Sequence, residues 1–312
     1  MKLLITGVHG FVGSNLVEAL KKKHTIYGLD IISPLKEGVD FTFGWDNLDD
    51  GQIPAVDAII HLAGKAHDTK NQTEAEVYFK VNTGLTQKIY DYFLKSSAKK
   101  FIFFSTAKAA ADKVEGVLTE GVIPSPKGPY GESKIAAENY ILGHTGLGLF
   151  NKQIYIFRPC MIHGPGNKGN LNLLYNVVKK GIPWPLGAFE NKRSFTSIEN
   201  ICFAVNGVLT KDIPSGIYNM GDDEALSTNE LIEEICKSLG KKAHIWRLPK
   251  GLMNGVAKVG GWLHLPLNPE RLRKLTENYI SSNAKIKKAL GVEKMPVDAR
   301  EGLKVTLESF AQ

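Results

Sequence analysis

The stretch that most constrains this chain is LLITGVHGFVGSNLVEAL, residues 3–20. Its opening apolar run, Leu3–Thr6, reads as a buried strand, and the residues from Phe11 onward carry the apolar spacing of a helix. Between them Gly7, Gly10 and Gly13 follow a TGxxGxxG spacing rather than GxGxxG. A glycine turn opening into a helix aims backbone N–H groups and the positive end of the helix dipole at one point, which makes an anion site. In that reading Gly7 permits the tight turn, Gly10 lets the backbone approach a diphosphate, and Gly13 lets helix and strand pack closely. The plain alternative is a strand–turn–helix that uses its glycines for packing alone. Asp30 ends the next strand-like run, TIYGLD, about twenty residues past the loop. A carboxylate there accepts hydrogen bonds from an adenosine ribose and repels a 2′-phosphate, so NAD rather than NADP is the expected cofactor. An Asp at a strand end is also a common turn former.

The rest of the first half alternates in the same manner. Strand-like runs at Thr25–Asp30, Ala58–His61, Phe101–Ser105 and Ile154–Arg158 interleave with helix-period segments at Phe11–Lys22, Glu74–Leu94 and 131–142. Alternation of this kind predicts a parallel sheet covered by helices on both faces. FIFF, apolar at consecutive positions, suits a strand buried on both sides. After about residue 160 the texture becomes rich in Gly and Pro, as in HGPGNKGN and GIPWPLG. A helix is expected over Ser227–Leu239, opened by Ser227 and Thr228 with Glu230 in its first turn and closed by Gly240. Another is expected around Ser282–Leu290, ahead of Gly291. The expected domains are a dinucleotide-binding unit at 1–165, with a return segment near 193–210, and a smaller unit at 166–312 that mainly holds substrate.

Composition excludes several classes. Apolar residues make up 43% of the 312 and charged residues 23%, which suits a soluble globular enzyme. Cys160, Cys202 and Cys236 are too few and too scattered for a disulfide framework, and no Cys/His cluster suggests a metal. No apolar run is long enough to span a bilayer. The strand-like run from Lys2 leaves no room for a signal peptide, so a reducing, cytoplasmic setting is expected. The net charge of +7 suits anionic ligands. No basic stripe interleaved with aromatics points to nucleic acid as a partner.

The segment GPYGESK, residues 128–134, places Tyr130 and Lys134 four apart, on one face of a helix. A nearby ammonium favours the phenolate and lowers the phenol's pKa, which makes the phenol a candidate for proton transfer. Taken alone, the pair reads equally as a surface tyrosine near a surface lysine.

TGVHGFVG, HLAG at 61–64, VNTG at 81–84, FFST at 103–106, YGESK at 130–134 and RPCMIHGPG at 158–166 occur in that order, and RSFTSIEN, GIYNMGD and STNELIEEICKSLG follow. Together they resemble the extended short-chain dehydrogenase/reductase family, in its nucleotide-sugar epimerase/dehydratase branch, over most of the chain. The resemblance implies an α/β fold: a Rossmann-type doubly wound parallel sheet with a smaller α/β C-terminal substrate domain. It implies Thr106, Tyr130 and Lys134 as catalytic residues. His9, Phe11 and Val12 of the glycine loop, Leu62, Ala63, Gly64 and Asn82, and Arg158 with Pro159 at a strand end, are implied to line the dinucleotide. Arg193 matches an arginine that contacts the sugar-nucleotide diphosphate, where its planar fork suits phosphate. Asn172 is implied near that diphosphate. Trp184 is placed either against the nucleotide base or in loop packing. The implied chemistry is hydride transfer from a sugar carbon to nicotinamide with Tyr130 taking the hydroxyl proton. A homodimer through the helices at 74–94 and 131–142 is also implied.

Two departures narrow the activity. Dehydratases resembling this chain place Asp-Glu after the catalytic Thr, whereas AKAA follows Thr106, so 4,6-dehydration is disfavoured. His163 replaces a tyrosine often seen before GPG; a lone His is more often a hydrogen-bonded structural residue than a catalyst. A 4-epimerase of a UDP-hexose or UDP-N-acetylhexosamine is the first expectation. The alternatives are a 4-ketoreductase of an NDP-4-keto-6-deoxy sugar, which needs the same three residues, and a non-catalytic dinucleotide-binding scaffold. Lastly, GLMNGVAKVGGWLHLPL at 251–267 is apolar and glycine-broken, with Lys250 and Lys258 nearby. A greasy surface beside a basic one would suit a lipid-linked sugar diphosphate; burial in the C-terminal domain or in a dimer interface is the competing expectation.

Overall fold

A computed structural model describes residues 1–66, 74–144, 151–263 and 267–311. His264, Leu265 and Pro266 of the apolar 251–267 segment lie outside the described residues. Seven strands form one sheet: β1 (Lys2–Thr6), β2 (Thr25–Leu29), β3 (Phe41–Phe43), β4 (Ala58–His61), β5 (Lys100–Phe104), β6 (Gln153–Pro159) and β7 (Gly216–Met220). The spatial order is β7-β6-β5-β4-β1-β2-β3, and every neighbouring pair is parallel. The doubly wound parallel sheet expected from the alternation is therefore present. The sequence reading lacked β3. Three residues, with Phe41 exposed, are too short for a period-two pattern to register.

Alternate residues of each strand enter opposite cores, as the strand period requires. Leu3, Ile5, Ile102 and Phe104 join one cluster with α1 (Phe11–Leu20), whereas Leu4, Ile59, Phe101 and Phe103 join the other. The second cluster is closed by α2 (Leu85–Lys95) and α3 (Pro129–Gly143). Side chains of this size contribute about 1.5–3 kcal/mol each when fully buried. The expected helix over 74–94 is divided: Ala75–Tyr78 is α-helical, Phe79–Gly84 opens into a π-helical turn, and α2 follows. Such wide turns cluster at functional sites, and this one contains Asn82.

Beyond α4 (Asn170–Lys179) the chain returns to the sheet. Ile201, Val205 and Val208 of α5 (Ile198–Thr210) pack into the cluster beneath α1, and β7 extends the sheet edge. A third cluster, away from the sheet, gathers residues of α4, α6 (Thr228–Ser238), α7 (Lys250–Trp262) and α9 (Ala299–Ser309); α8 (Pro269–Thr276) adds Leu272. The capping box anticipated at Ser227 is formed: its hydroxyl accepts from Glu230 N, and Glu230 accepts from Ser227 N.

α3 is fastened to the sheet by a buried ion pair. Arg158 on β6 donates from Nε to both Glu138 oxygens at 3.0 and 3.1 Å and from Nη2 to Oε2 at 2.5 Å. Ser105 donates its hydroxyl to the same carboxylate. Both charges are essentially inaccessible to water, so removing one partner strands the other. Glu138→Gln is expected to lower the unfolding free energy by about 3–5 kcal/mol in urea titration. Arg158→Met added to it restores part of the loss. A drop below about 1 kcal/mol for Glu138→Gln would show that the pair does not hold α3.

Candidate active site

The chain runs from β1 to β2 on one side and comes back to β4 on the other, so the sheet reverses its winding between β1 and β4. Ligands of open α/β sheets bind in the crevice beyond the strand ends at such a point. Gly7 leaves β1 with φ +68°, and a Cβ on it would stand 3.0 Å from Ala63 N. A Cβ on Gly13 would stand 2.4 Å from Gly7 O, so a side chain there would push α1 off the strand. Gly10 is the N-cap of α1; among the described residues no side chain caps this helix, and its first turn holds no acid. Its leading N–H groups are thus available to an anion.

Asp30, just past β2, accepts from His9 N at 3.1 Å and from Ile31 N at 2.8 Å. That fixes the carboxylate beside the glycine loop while leaving lone pairs for a ribose. His9 turns its ring to Thr42 at 3.1 Å, and burial lowers its pKa, so it packs as a neutral group. Phe11 lies against the turn at Gly164 and Gly166, and Val12 packs on the sheet core. The uncapped helix start, the close-packed glycines and the placed carboxylate fit a dinucleotide.

The segment after β4 forms the facing wall. Leu62 N and Ala63 N donate to the Thr6 hydroxyl at 3.2 and 3.0 Å. Asn82 accepts from Lys65 N at 2.7 Å and donates to Lys65 O at 3.1 Å and Ser133 Oγ at 2.9 Å, tying this wall to α3. A Cβ on Gly64 would meet Asn82 Oδ1 at 2.9 Å and Lys134 Nζ at 3.1 Å. The glycine is therefore what lets the lysine reach the crevice. Ser133, Lys65 and Thr6 went unnoticed in the sequence, because their role exists only across elements far apart in the chain.

Thr106 follows β5 and caps the short helix Ala107–Ala110, accepting from Lys108 N at 3.3 Å. Its hydroxyl also lies close enough to the Tyr130 phenol to lower that group's pKa. Tyr130 and Lys134 occupy successive turns of α3, as their spacing requires. Lys134 is buried, donates to Phe104 O at 2.9 Å and lies 5.0 Å from the Phe103 ring centroid. Burial pulls its pKa down to about 8, against a smaller opposing pull from Glu138. The expectation that Lys134 lowers the phenol's pKa needs correction here. Burial raises Tyr130, and the group that counters it is the Thr106 hydroxyl. His61 beneath them is locked between Thr6 and Thr86 at 2.6 and 2.9 Å and is held neutral by burial and by Lys134.

The remaining candidates divide. Pro159 ends β6 at the same edge of the sheet, but Arg158 is occupied by Glu138 and its side chain does not enter the crevice. Arg193 is half-buried beside Cys160 and Glu277 and donates to the Lys274 carbonyl. Asn172 accepts from Asn176 at 2.9 Å on α4. Trp184 packs into the C-terminal core, lining a cavity of about 300 Å³ with Val178 and Ile232, which favours its packing role. His163 is buried, 2.9 Å from Thr306 and 3.4 Å from Asp222, and joins the strand Met161–His163 to α9. It is the structural histidine that its isolation suggested.

Residues 3–221 match the NAD dependent epimerase/dehydratase family. The chain is 30% identical to a UDP-glucose 4-epimerase of Vibrio cholerae, with 99% of this chain and 95% of the relative covered. It is 28% identical to the N-acetyl-alpha-D-glucosaminyl-diphospho-ditrans,octacis-undecaprenol 4-epimerase of Escherichia coli O157:H7, over 92% of this chain and 84% of that one. The fold superposes on a UDP-glucuronic acid 4-epimerase from Bacillus cereus, solved with NAD, at a TM-score of 0.76 and 22% identity, covering 100% and 99% of the two chains. The resemblance to extended short-chain dehydrogenases/reductases is borne out, and with it the expectation of NAD as cofactor. With the glycine loop, the Asp30 carboxylate and the Thr106–Tyr130–Lys134 group at one end of one sheet, this chain belongs to the NAD dependent epimerase/dehydratase family.

Proposed function

We propose that the protein is a nucleotide-sugar 4-epimerase that oxidises the sugar at C4, lets the ketone turn over and reduces it from the other face, on a UDP-hexose or UDP-N-acetylhexosamine. The observation that carries this reading is the meeting of Thr106, Tyr130 and Lys134 beside the dinucleotide crevice. When bound, NAD supplies the hydride acceptor and then the donor. Thr106 and Tyr130 hold the C4 oxygen, and Tyr130 takes and returns its proton. Lys134, cationic at neutral pH and reaching the crevice beside Gly64, holds the nicotinamide ribose. The dehydratase reading is disfavoured: Ala107 and Lys108 follow Thr106, and Asp112 is engaged by Lys108 at 3.2 Å and Arg273 at 3.4 Å. In this reading the region from about 166 onward holds the sugar nucleotide, with Arg193 and Asn172 near its diphosphate, in a cytoplasmic homodimer packed through α2 and α3.

Turnover of a UDP-sugar by the protein as purified, without added cofactor, is the expected result. A requirement for stoichiometric NADH or NADPH would indicate a 4-ketoreductase instead. Tyr130→Phe is expected to lower kcat by about 10²–10⁴-fold while NAD still binds. Unchanged activity would revive the scaffold reading. Asp30→Ala is expected to weaken NAD about 10–100-fold, the range of a hydrogen bond to a charged group, and to narrow the preference over NADP in titration calorimetry.

Lys134 also leaves a signature in stability. Its folded pKa, about 8, lies below its ordinary 10.5, so between pH 8 and 10 the unfolded chain binds more protons and stability rises with pH. Lys134→Met is expected to remove about 2–3 kcal/mol of that rise in denaturant titrations across this window. A parallel pH dependence in the two proteins would place Lys134 in contact with water.

A further inference from the structure

Helix α7 carries apolar side chains on two faces. Met253, Ala257 and Gly260 are buried, the first two within the C-terminal core. Leu252, Val256, Val259 and Leu263 follow the spacing that stacks residues along one face of a helix. They are exposed at 54%, 46%, 55% and 52%, and Trp262 beside them at 81%. Scattered exposed apolar residues are ordinary, but an aligned row ending in a tryptophan is not.

The sequence that carries this row is lopsided in charge, though Arg273 in it is paired with Asp112 and Glu277. Residues 241–274 hold eight Lys and Arg against one acid, Glu270, so this segment alone carries a surplus of seven, equal to that of the whole chain. Lys250 and Lys258 lie on α7 itself, with Asn254, away from the apolar row. A helix with an apolar face, flanking lysines and an interfacial tryptophan has the form of one that lies in the surface of an anionic bilayer. A second copy on the same face would bring two such basic segments together, which repel.

The α7–α8 pair also reaches the catalytic end of the molecule. Arg273 on α8 lies 3.4 Å from Asp112, just beyond the helix that Thr106 caps. Arg193, the candidate diphosphate ligand, donates to the carbonyl of Lys274. The apolar row and that arginine are thus attached to one structural unit.

We propose that the exposed face of α7 seats the protein on an anionic lipid surface, so that a sugar diphosphate anchored there by an apolar tail reaches Thr106 and Tyr130. The substrate half of this inference rests on the epimerase reading; the membrane contact does not. The test is sedimentation of the full chain, without sugar, with vesicles of phosphatidylglycerol and phosphatidylcholine or of phosphatidylcholine alone. Pelleting is expected with the anionic vesicles, weaker at high salt and weak with the neutral ones. Lys258→Gln is expected to weaken partition about fivefold. Leu252→Ser/Val259→Ser is expected to abolish it, with thermal unfolding and turnover of a water-soluble UDP-hexose unchanged. A blue shift of fluorescence on vesicle addition, lost in Trp262→Phe, would report insertion of that side chain.

The idea is overturned if the wild-type protein stays in the supernatant, or if the double serine variant pellets equally well. It is also overturned if sedimentation velocity shows a dimer that the double variant disrupts, since a second copy would then cover the face. Failure to turn over any soluble sugar would count against the epimerase reading and leave the vesicle result standing.

Discussion

Two backbones meet where the sheet reverses its winding, and the site is built outward from that approach. Gly7 can lie against Ala63 only because it lacks a Cβ and tolerates its positive φ. Thr6, one residue earlier, fastens the two loops by accepting from Leu62 N and Ala63 N. With the loops so close, the uncapped start of α1 and the wall at 62–65 face one crevice. Asn82 carries the connection from Lys65 to Ser133, and Ser133 sits on the helix that holds Tyr130 and Lys134. A substitution that widened the first contact would be felt four elements away.

Dryness is the second condition of this site. Lys134, Glu138, Arg158 and His61 are all buried at or under the sheet's edge, where an unpaired charge is costly. The structure answers each differently. Arg158 and Glu138 pair with one another, His61 is neutral between two hydroxyls, and Lys134 donates to a carbonyl and lies by a ring face, and burial outweighs the pull of Glu138, so its pKa falls. Tyr130 feels two opposed effects: its own desolvation raises its pKa, and the Thr106 hydroxyl lowers it.

Much of the fold was legible because it obeys short-range rules. Five of the six strands that the main sheet takes from residues 1–159, and the helices at 11, 131 and 227, follow from apolar period, glycine position and capping chemistry within a few residues. The misses have longer-range causes. β3 exists because β2 offers it an edge, not because FTF announces a strand. The π turn at 79–84 fits Asn82 between Lys65 and Ser133, partners that no local window contains. Arg158 is implied as a cofactor neighbour by the family resemblance; only the docking of α3 shows its guanidinium turned to Glu138.

The order of strands and helices, the glycine loop, the acid at the end of β2 and the one-turn spacing of Tyr130 and Lys134 were settled by the chain alone, since each depends on neighbours a few residues away. Which of these groups share a crevice, which are desolvated and which are already paired was decided only when the sheet closed. Burial and long-range hydrogen bonding are properties of the packed molecule. They set the protonation of Lys134, the engagement of Arg158 and the outward face of α7, none of which a linear pattern can carry.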